Sequence, residues 1–406
     1  MAINEKFRLL TSQIDITTFE GFVQVALRLG ASDIHFEPME HDLRVRVRID
    51  GELEEVARMN HSASSSKPHP IIVQIKARSE LNLKSRVPED GRCEIWADDA
   101  LLSIRVSTIP QVFGEKIVVR LFDKSKVAEL HCLGFRDHNL GLLKQMVEKN
   151  SGIVLVTGPT GSGKTTTLYT ILNYLNNPHR NLITVEDPVE YFLPGINQIQ
   201  VDPKGGVTFD TALRAILRQD PDILMVGEIR DRETADIAFH AALTGHLVLS
   251  TVHANDTIGA IMRVFDLGVP TVLAAQAMNG IISQRLVSHL CPKCRVCSVH
   301  PPLDGILTYE PKGCDFCHST GVRGRQGVQE LLVFSDTFRK IMSSTFNSEE
   351  LLMIALKEGM ETLKQDALVK TTEGSISYRD ALAITDESLD RIMPLMKIAF
   401  PVDADF

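Results

Sequence analysis

Residues 153–157, IVLVT, form an apolar strand that runs straight into Gly158, Gly161, Gly163, Lys164 and Thr165, the G-x-x-x-x-G-K-[ST] spacing. Few short patterns restrict a fold so tightly, because the glycines need a strand before them and a helix after them. The loop Gly158-Pro159-Thr160-Gly161-Ser162-Gly163-Lys164-Thr165-Thr166 lets successive backbone N–H groups point at phosphate oxygens, and the following helix offers the same anion its positive end. Leu168, Ile171, Leu172 and Leu175 are spaced as the buried face of that helix. The pattern predicts a nucleoside triphosphate site, with Lys164 on the β- and γ-phosphates and Thr165 on Mg²⁺.

The rest of the chain is consistent with a protein that works in water. Its 406 residues allow two or three domains, and 44% are hydrophobic and 23% charged. No apolar run approaches the roughly 18 residues of a membrane span, and the first ten residues lack a signal-peptide core. A cytoplasmic location is expected, with membrane contact only through partners. The net charge of −9 argues against broad nucleic-acid binding.

The pattern divides the chain into five parts. Residues 1–122 read as a small α+β domain: a helix after Thr17-Thr18-Phe19-Glu20, a strand in which Leu43, Val45, Val47 and Ile49 alternate with Arg44, Arg46 and Arg48, a tight turn at Asp50-Gly51, and further strands at 94–107 and 116–122. Residues 60–70 are Ser/Pro-rich and read as a loop; 123–139 read as a linker. From 140 to 285, helices alternate with short apolar strands at 152–158, 181–187, 221–228 and 246–253, the mark of a doubly wound parallel sheet. Residues 286–328 form a cysteine-rich segment, and 329–406 a helical region.

Chemistry concentrates where the strands end. Glu228 closes an apolar strand and is a candidate to hold Mg²⁺ or polarise the attacking water. Glu186, Asp187 and Glu190 place three carboxylates in five residues; Glu190 is a candidate general base, and Glu186 or Asp187 a candidate to organise Mg²⁺ through water. His246 and His253 bracket a strand and face opposite sides of it; His253, at the carboxyl end, is the candidate γ-phosphate sensor, and His246 either a structural group or a contact to a neighbouring subunit. Cys291, Cys294, Cys314 and Cys317 have the C-x₂-C-x₁₅₋₂₀-C-x₂-C spacing of a closed structural zinc site, with Cys297 an alternative to Cys291.

Eleven segments together resemble the type II secretion ATPases and their type IV pilus assembly counterparts: 32–38 (SDIHFEP), 46–53 (RVRIDGEL), 87–92 (VPEDGR), 104–110 (IRVSTIP), 114–121 (GEKIVVRL), 157–169 (TGPTGSGKTTTLY), 183–191 (ITVEDPVEY), 218–231 (RQDPDILMVGEIRD), 244–257 (TGHLVLSTVHANDT), 284–286 (QRL) and 324–332 (GRQGVQELL). The resemblance implies a RecA-like ATPase core with ATP, Mg²⁺ and Zn²⁺, a homo-hexameric ring, and inner-membrane platform and docking proteins as partners. It further implies that Arg105 and Arg120 of the N-terminal domain meet the nucleotide, and that hydrolysis moves the domains to insert pilin-like subunits into a fibre. Type II secretion is the first reading and pilus extension the alternative; a retraction motor is disfavoured by the tetracysteine segment, and a nucleic-acid translocase by the acidic balance. Many members of that family carry a further N-terminal docking domain, whereas this sequence opens almost at the arginine-bearing one.

Overall fold

Alternation in the arginine-rich strand sets the architecture of the N-terminal part. The computed structural model describes residues 2–3, 7, 14–60, 68–84, 87–98, 100–123, 129–299, 307–317, 319–344 and 347–384, and the chain divides into two units, 1–126 and 127–406. The first unit runs β1 (Ala2–Ile3), α1 (Phe19–Arg28), β2 (Ala31–Pro38), β3 (Asp42–Ile49), β4 (Glu52–Asn60), α2 (Pro70–Arg78), β5 (Glu89–Ala97), β6 (Ala100–Gln111) and β7 (Gly114–Asp123). The strands form one sheet in the order β1-β4-β3-β2-β7-β6-β5. Leu43, Val45 and Val47 of β3 are buried with Ile34, Phe36, Ile104, Val106 and Val119 beneath the apolar face of α1. The N-cap of α1 is Thr18, which accepts from Gly21 N at 3.1 Å; Thr17 turns its hydroxyl to Asp15 instead.

The opposite face of this sheet is charged, as a period of two requires. Arg44, Arg46 and Lys116 all close on Glu37 at 2.7–3.0 Å. Burial pushes the Glu37 carboxyl up, but Arg46 and Lys116 outweigh it and hold the group at about 2. Residues 61–67 of the expected loop lie outside the described residues.

The second unit contains α3 (Asp137–Val147), β8 (Gly152–Thr157), α4 (Lys164–Leu175), β9 (Leu182–Glu186), β10 (Asn197–Gln200), α5 (Phe209–Ile216), β11 (Ile223–Val226), α6 (Arg232–Leu243), β12 (Leu247–Val252), α7 (Thr257–Asp266), α8 (Thr271–Ala277), β13 (Met278–Leu290), β14 (Val296–Val299), β15 (Leu307–Glu310), β16 (Val322–Val333) and α9 to α12 (Asp336–Met342, Ser348–Lys357, Leu363–Thr372, Tyr378–Ala383). Its main sheet has the order β10-β9-β11-β12-β8-β13-β16, parallel until β16 pairs antiparallel with β13. Helices cover both faces, so the central strands read as continuous apolar runs: Ile153 and Leu155 enter one core, Val154 and Val156 the other. The α/β class, the small α+β unit and the ATPase-type core are as the sequence implied.

Part of the stretch read as a linker belongs to this second unit. Leu130 and Phe135 are buried in its core, and Arg136 binds Asp366 at 3.0 Å and Glu361; residues 124–128 lie outside the described residues. The helical end is fastened by buried charge. Glu330, fully buried, accepts from Thr257 N (2.8 Å), Thr257 Oγ1 (2.6 Å) and Leu363 N (3.2 Å), the first residues of α7 and α11. Burial raises its pKa, and these bonds oppose the rise. Residues 385–406 of the expected helical region are outside the described residues, and no helix among those described is long and apolar enough to cross a membrane.

Candidate functional site

The carboxyl ends of β8, β9, β11 and β12 lie side by side in the sheet, and each carries one of the motifs. After β8 the chain turns through Gly158 (φ 144°), Gly161 (80°) and Gly163 (86°), a region that side chains with a Cβ rarely enter. Space excludes a side chain as well: a Cβ on Gly158 would stand 2.4 Å from the carbonyl oxygen of Gln284. The loop is thus wrapped on β13. Lys164 folds back over it, donating to the carbonyls of Gly158 (2.8 Å) and Pro159 (3.0 Å). Burial lowers its pKa, the charge of Glu228 acts to raise it, and Arg285 lowers it again. Thr165 and Thr166 stand exposed at the start of α4.

Glu228, just past β11, joins His253, just past β12. His253 Nε2 is 3.4 Å from Glu228 Oε2, and Arg230 pairs with the other carboxylate oxygen. Glu228 is largely covered, while His253 and Arg230 are more than half exposed. Thr157 fixes the geometry between the strands: its hydroxyl donates to Ala254 O and accepts from Ala254 N, both at 2.9 Å. The last residue of the phosphate-loop strand therefore positions the residue after His253. Arg230 had no place in the sequence reading; its spacing two residues from Glu228 was the available signal.

The three carboxylates beyond β9 have different fates. Glu186 follows the alternation of Thr184 into the interior, where Tyr169 Oη, Thr184 Oγ1 (2.6 Å) and Gln198 Nε2 (3.1 Å) all donate to it. Burial raises its pKa against those bonds. It is spent as a structural acceptor on the α4 side of the sheet. Asp187 is exposed. Glu190 donates its backbone N–H to Tyr169 Oη at 3.2 Å, and its Oε2 is buried with no hydrogen-bond partner among the described residues, so one oxygen is ready to accept from a water or hydroxyl.

His246 stands at the opposite end of β12 from His253. Its Nδ1 lies 3.0 Å from Ala241 O and 3.5 Å from Thr244 Oγ1, at the carboxyl end of α6. That geometry is a helix cap within its own unit, the structural alternative.

In the N-terminal unit Arg105 and Arg120 are direct cross-strand partners, and the row continues through Asp33 and Arg48 on one side and Arg92 on the other. Arg120 Nε donates to the buried Asp33 Oδ1 at 2.9 Å, leaving its terminal nitrogens free of that carboxylate. Arg105 lies 3.6 Å from the exposed Asp90.

Cys291, Cys294, Cys314 and Cys317 gather at the connection between β13 and β16, with all four sulfurs within 4.8 Å of one another. Neighbouring Sγ atoms are 3.7–3.9 Å apart, close to the edge of about 3.8 Å that a tetrahedron with metal–sulfur bonds of about 2.3 Å requires. Backbone N–H groups of Gly313, Cys314 and Gly321 point at the sulfurs of Cys294 and Cys317 at 3.2–3.3 Å. The donor set fits a closed metal site. Cys297 is exposed on β14, opposite Tyr309, and is not one of the four gathered sulfurs, whereas Cys291 is.

A model of the type II/IV secretion system protein family matches residues 11–383. The chain is 44% identical over 384 residues to the type II secretion system protein E of Dickeya dadantii, covering 92% of this chain and 76% of that one. It is 42% identical over 394 residues to the type IV pilus assembly ATPase PilB of Thermus thermophilus, covering 92% of this chain and 44% of the other. The crystal structure of the pilus retraction motor PilT with bound ADP matches with a TM-score of 0.64 at 26% identity, over 92% of this chain and 99% of that one.

Proposed function

The chain belongs to the type II/IV secretion system protein family, and from that membership we propose that it is the motor ATPase of a type II secretion machine, hydrolysing ATP at the Gly158–Thr165 loop to drive assembly of pilin-like subunits. The observation that carries the reading is the meeting of three strand ends: a glycine turn after β8, a covered carboxylate at Glu228, and His253 3.4 Å from it. Backbone N–H groups of the loop and Lys164 hold the phosphates, and Thr165 with Asp187 takes the Mg²⁺; Glu186, already saturated, supports Tyr169 and through it Glu190. When bound, Mg²⁺ would neutralise charge on the phosphates.

Glu228 orients or deprotonates the attacking water, with Glu190 the second candidate base because one of its oxygens is unpartnered. His253 reads the terminal phosphate. Arg105 and Arg120, paired on adjacent strands, are the guanidinium groups of this reading, and such a group is worth about 10³–10⁵ in rate where it meets a transferring phosphoryl. The four cysteines hold Zn²⁺ as a structural ion.

The type II reading stands ahead of pilus extension because relatives named type II secretion system protein E or ATPase E match at 40–44% identity over 74–78% of their length, against 44% of the length of the pilus relative. The homo-hexamer and the inner-membrane platform and docking proteins are inferences from that kinship, as is a cytoplasmic location. Mg²⁺-ATP turnover of the purified chain, abolished by Lys164→Ala, tests the site; pull-down of the membrane platform identifies the machine. Equal turnover in wild type and Lys164→Ala would remove the site, and capture of a pilus platform instead would select the alternative.

A further inference from the structure

We propose that Gln284 is a positioning residue for the nucleotide: from β13 it turns the Ser162–Gly163 peptide so that the Gly163 N–H faces the phosphates. This rests on the phosphate-loop reading above and adds a residue outside the loop to it. The Gln284 amide is buried, and both of its ends are engaged. Nε2 donates to Ser162 O at 2.5 Å, and Oε1 accepts from Thr167 Oγ1 at 2.8 Å. In a planar trans peptide the carbonyl and the next N–H point in opposite directions. Fixing Ser162 O against β13 therefore fixes the Gly163 N–H on the concave side of the loop, where an anion sits.

Two further observations agree. The Gly163 N–H makes no hydrogen bond among the described residues, so it is left for a ligand. A Cβ at Gly163 would stand 3.1 Å from Gln284 Nε2 and 3.2 Å from Leu286 Cδ1, so the same short segment of β13 also sets how closely the loop can approach it. The two hydrogen bonds have different duties. The Thr167 bond anchors α4; the Ser162 bond sets the orientation of the peptide.

The variants separate these duties. Gln284→Glu keeps an acceptor for Thr167 but replaces the donor to Ser162 O by an oxygen, which drives that carbonyl away. Gln284→Met is neutral, of similar length and lacks the donor as well, and it serves if the glutamate variant does not fold. Thr167→Val removes only the anchoring bond. Binding of Mg²⁺-ATP carrying a fluorescent ribose label is expected to weaken about tenfold or more in both Gln284 variants and by no more than about twofold in Thr167→Val. KM rises with kcat changed less, and protection of the Gly163 amide from hydrogen exchange by bound nucleotide is lost. Gln284 variants that fold and bind within about twofold of wild type overturn the proposal, as does Thr167→Val weakening binding as much as they do. Lys164→Ala is the separate arm: unchanged binding there strikes the phosphate-loop reading itself, whatever the Gln284 variants do.

Discussion

Removing one oxygen, in Tyr169→Phe, tests how the region beyond β9 is held. Tyr169 is fully buried on α4; its hydroxyl donates to Glu186 Oε2 and accepts from Glu190 N at 3.2 Å. Phenylalanine keeps the ring and its edge contact with Tyr191, centroids 4.7 Å apart, so no cavity larger than one oxygen opens and the cost is polar. A hydrogen bond to a buried carboxylate is worth about 1.5–3 kcal/mol, and a backbone N–H left unpaired adds about 1. The expected loss is about 2.5–4 kcal/mol at pH 7. Trp96, the one tryptophan, lies in the N-terminal unit, so its fluorescence follows that unit while circular dichroism through urea unfolding follows both, which isolates the second transition. Because Tyr169 also steadies Glu190, kcat falls more than KM rises. A loss below about 0.5 kcal/mol would mean that Glu186 does not depend on this hydroxyl, and the reasoning would fail.

Further expectations concern other parts of the molecule. Cys317→Ser removes one of four sulfurs from the cluster, so bound zinc, measured by elemental analysis, drops from near one per chain to near none; a zinc content unaffected by the change rules the site out. In the N-terminal unit, the unfolded Glu37 takes up its proton near the ordinary 4.5 and the folded one near 2, so the unfolded state binds more protons between these values. Stability of that unit, followed by Trp96 fluorescence, falls as pH drops through this window, and Glu37→Gln flattens the fall; parallel profiles for both proteins would contradict the assignment. Arg120→Ala lowers kcat by about 10³ or more while leaving nucleotide affinity near wild type; unaltered turnover shows that this guanidinium never meets the phosphate.

What could be read from the sequence was whatever is written in short, contiguous segments. The glycine loop, each of the strand ends at Glu228 and His253, the alternating Arg44–Ile49 strand and each of the two C-x₂-C pairs lie within about a dozen residues, and local spacing defines them. Side-chain assignments that depend on distant partners were not legible. Glu186 looked equivalent to Asp187 until Tyr169 and Gln198, from two other elements, turned out to occupy it. Gln284 stands 122 residues beyond Ser162, and the sequence marks it only as the first residue of the short segment 284–286 (QRL), with nothing local to tie it to the glycine loop. The stretch 123–139 reads as a linker by its charge, whereas Leu130 and Phe135 within it owe their burial to the core of the second unit, which no local pattern announces.

The most direct test of the central claim, that ATP held by the glycine loop is cleaved by a water under the control of Glu228, is the identity of the nucleotide trapped on Glu228→Gln. The variant is incubated with Mg²⁺-ATP, separated from free nucleotide and denatured, and the released nucleotide is identified by chromatography. Intact ATP on the variant, against ADP on the wild type, is the expected result. ADP on both would mean that cleavage proceeds without this carboxylate, and would contradict the account.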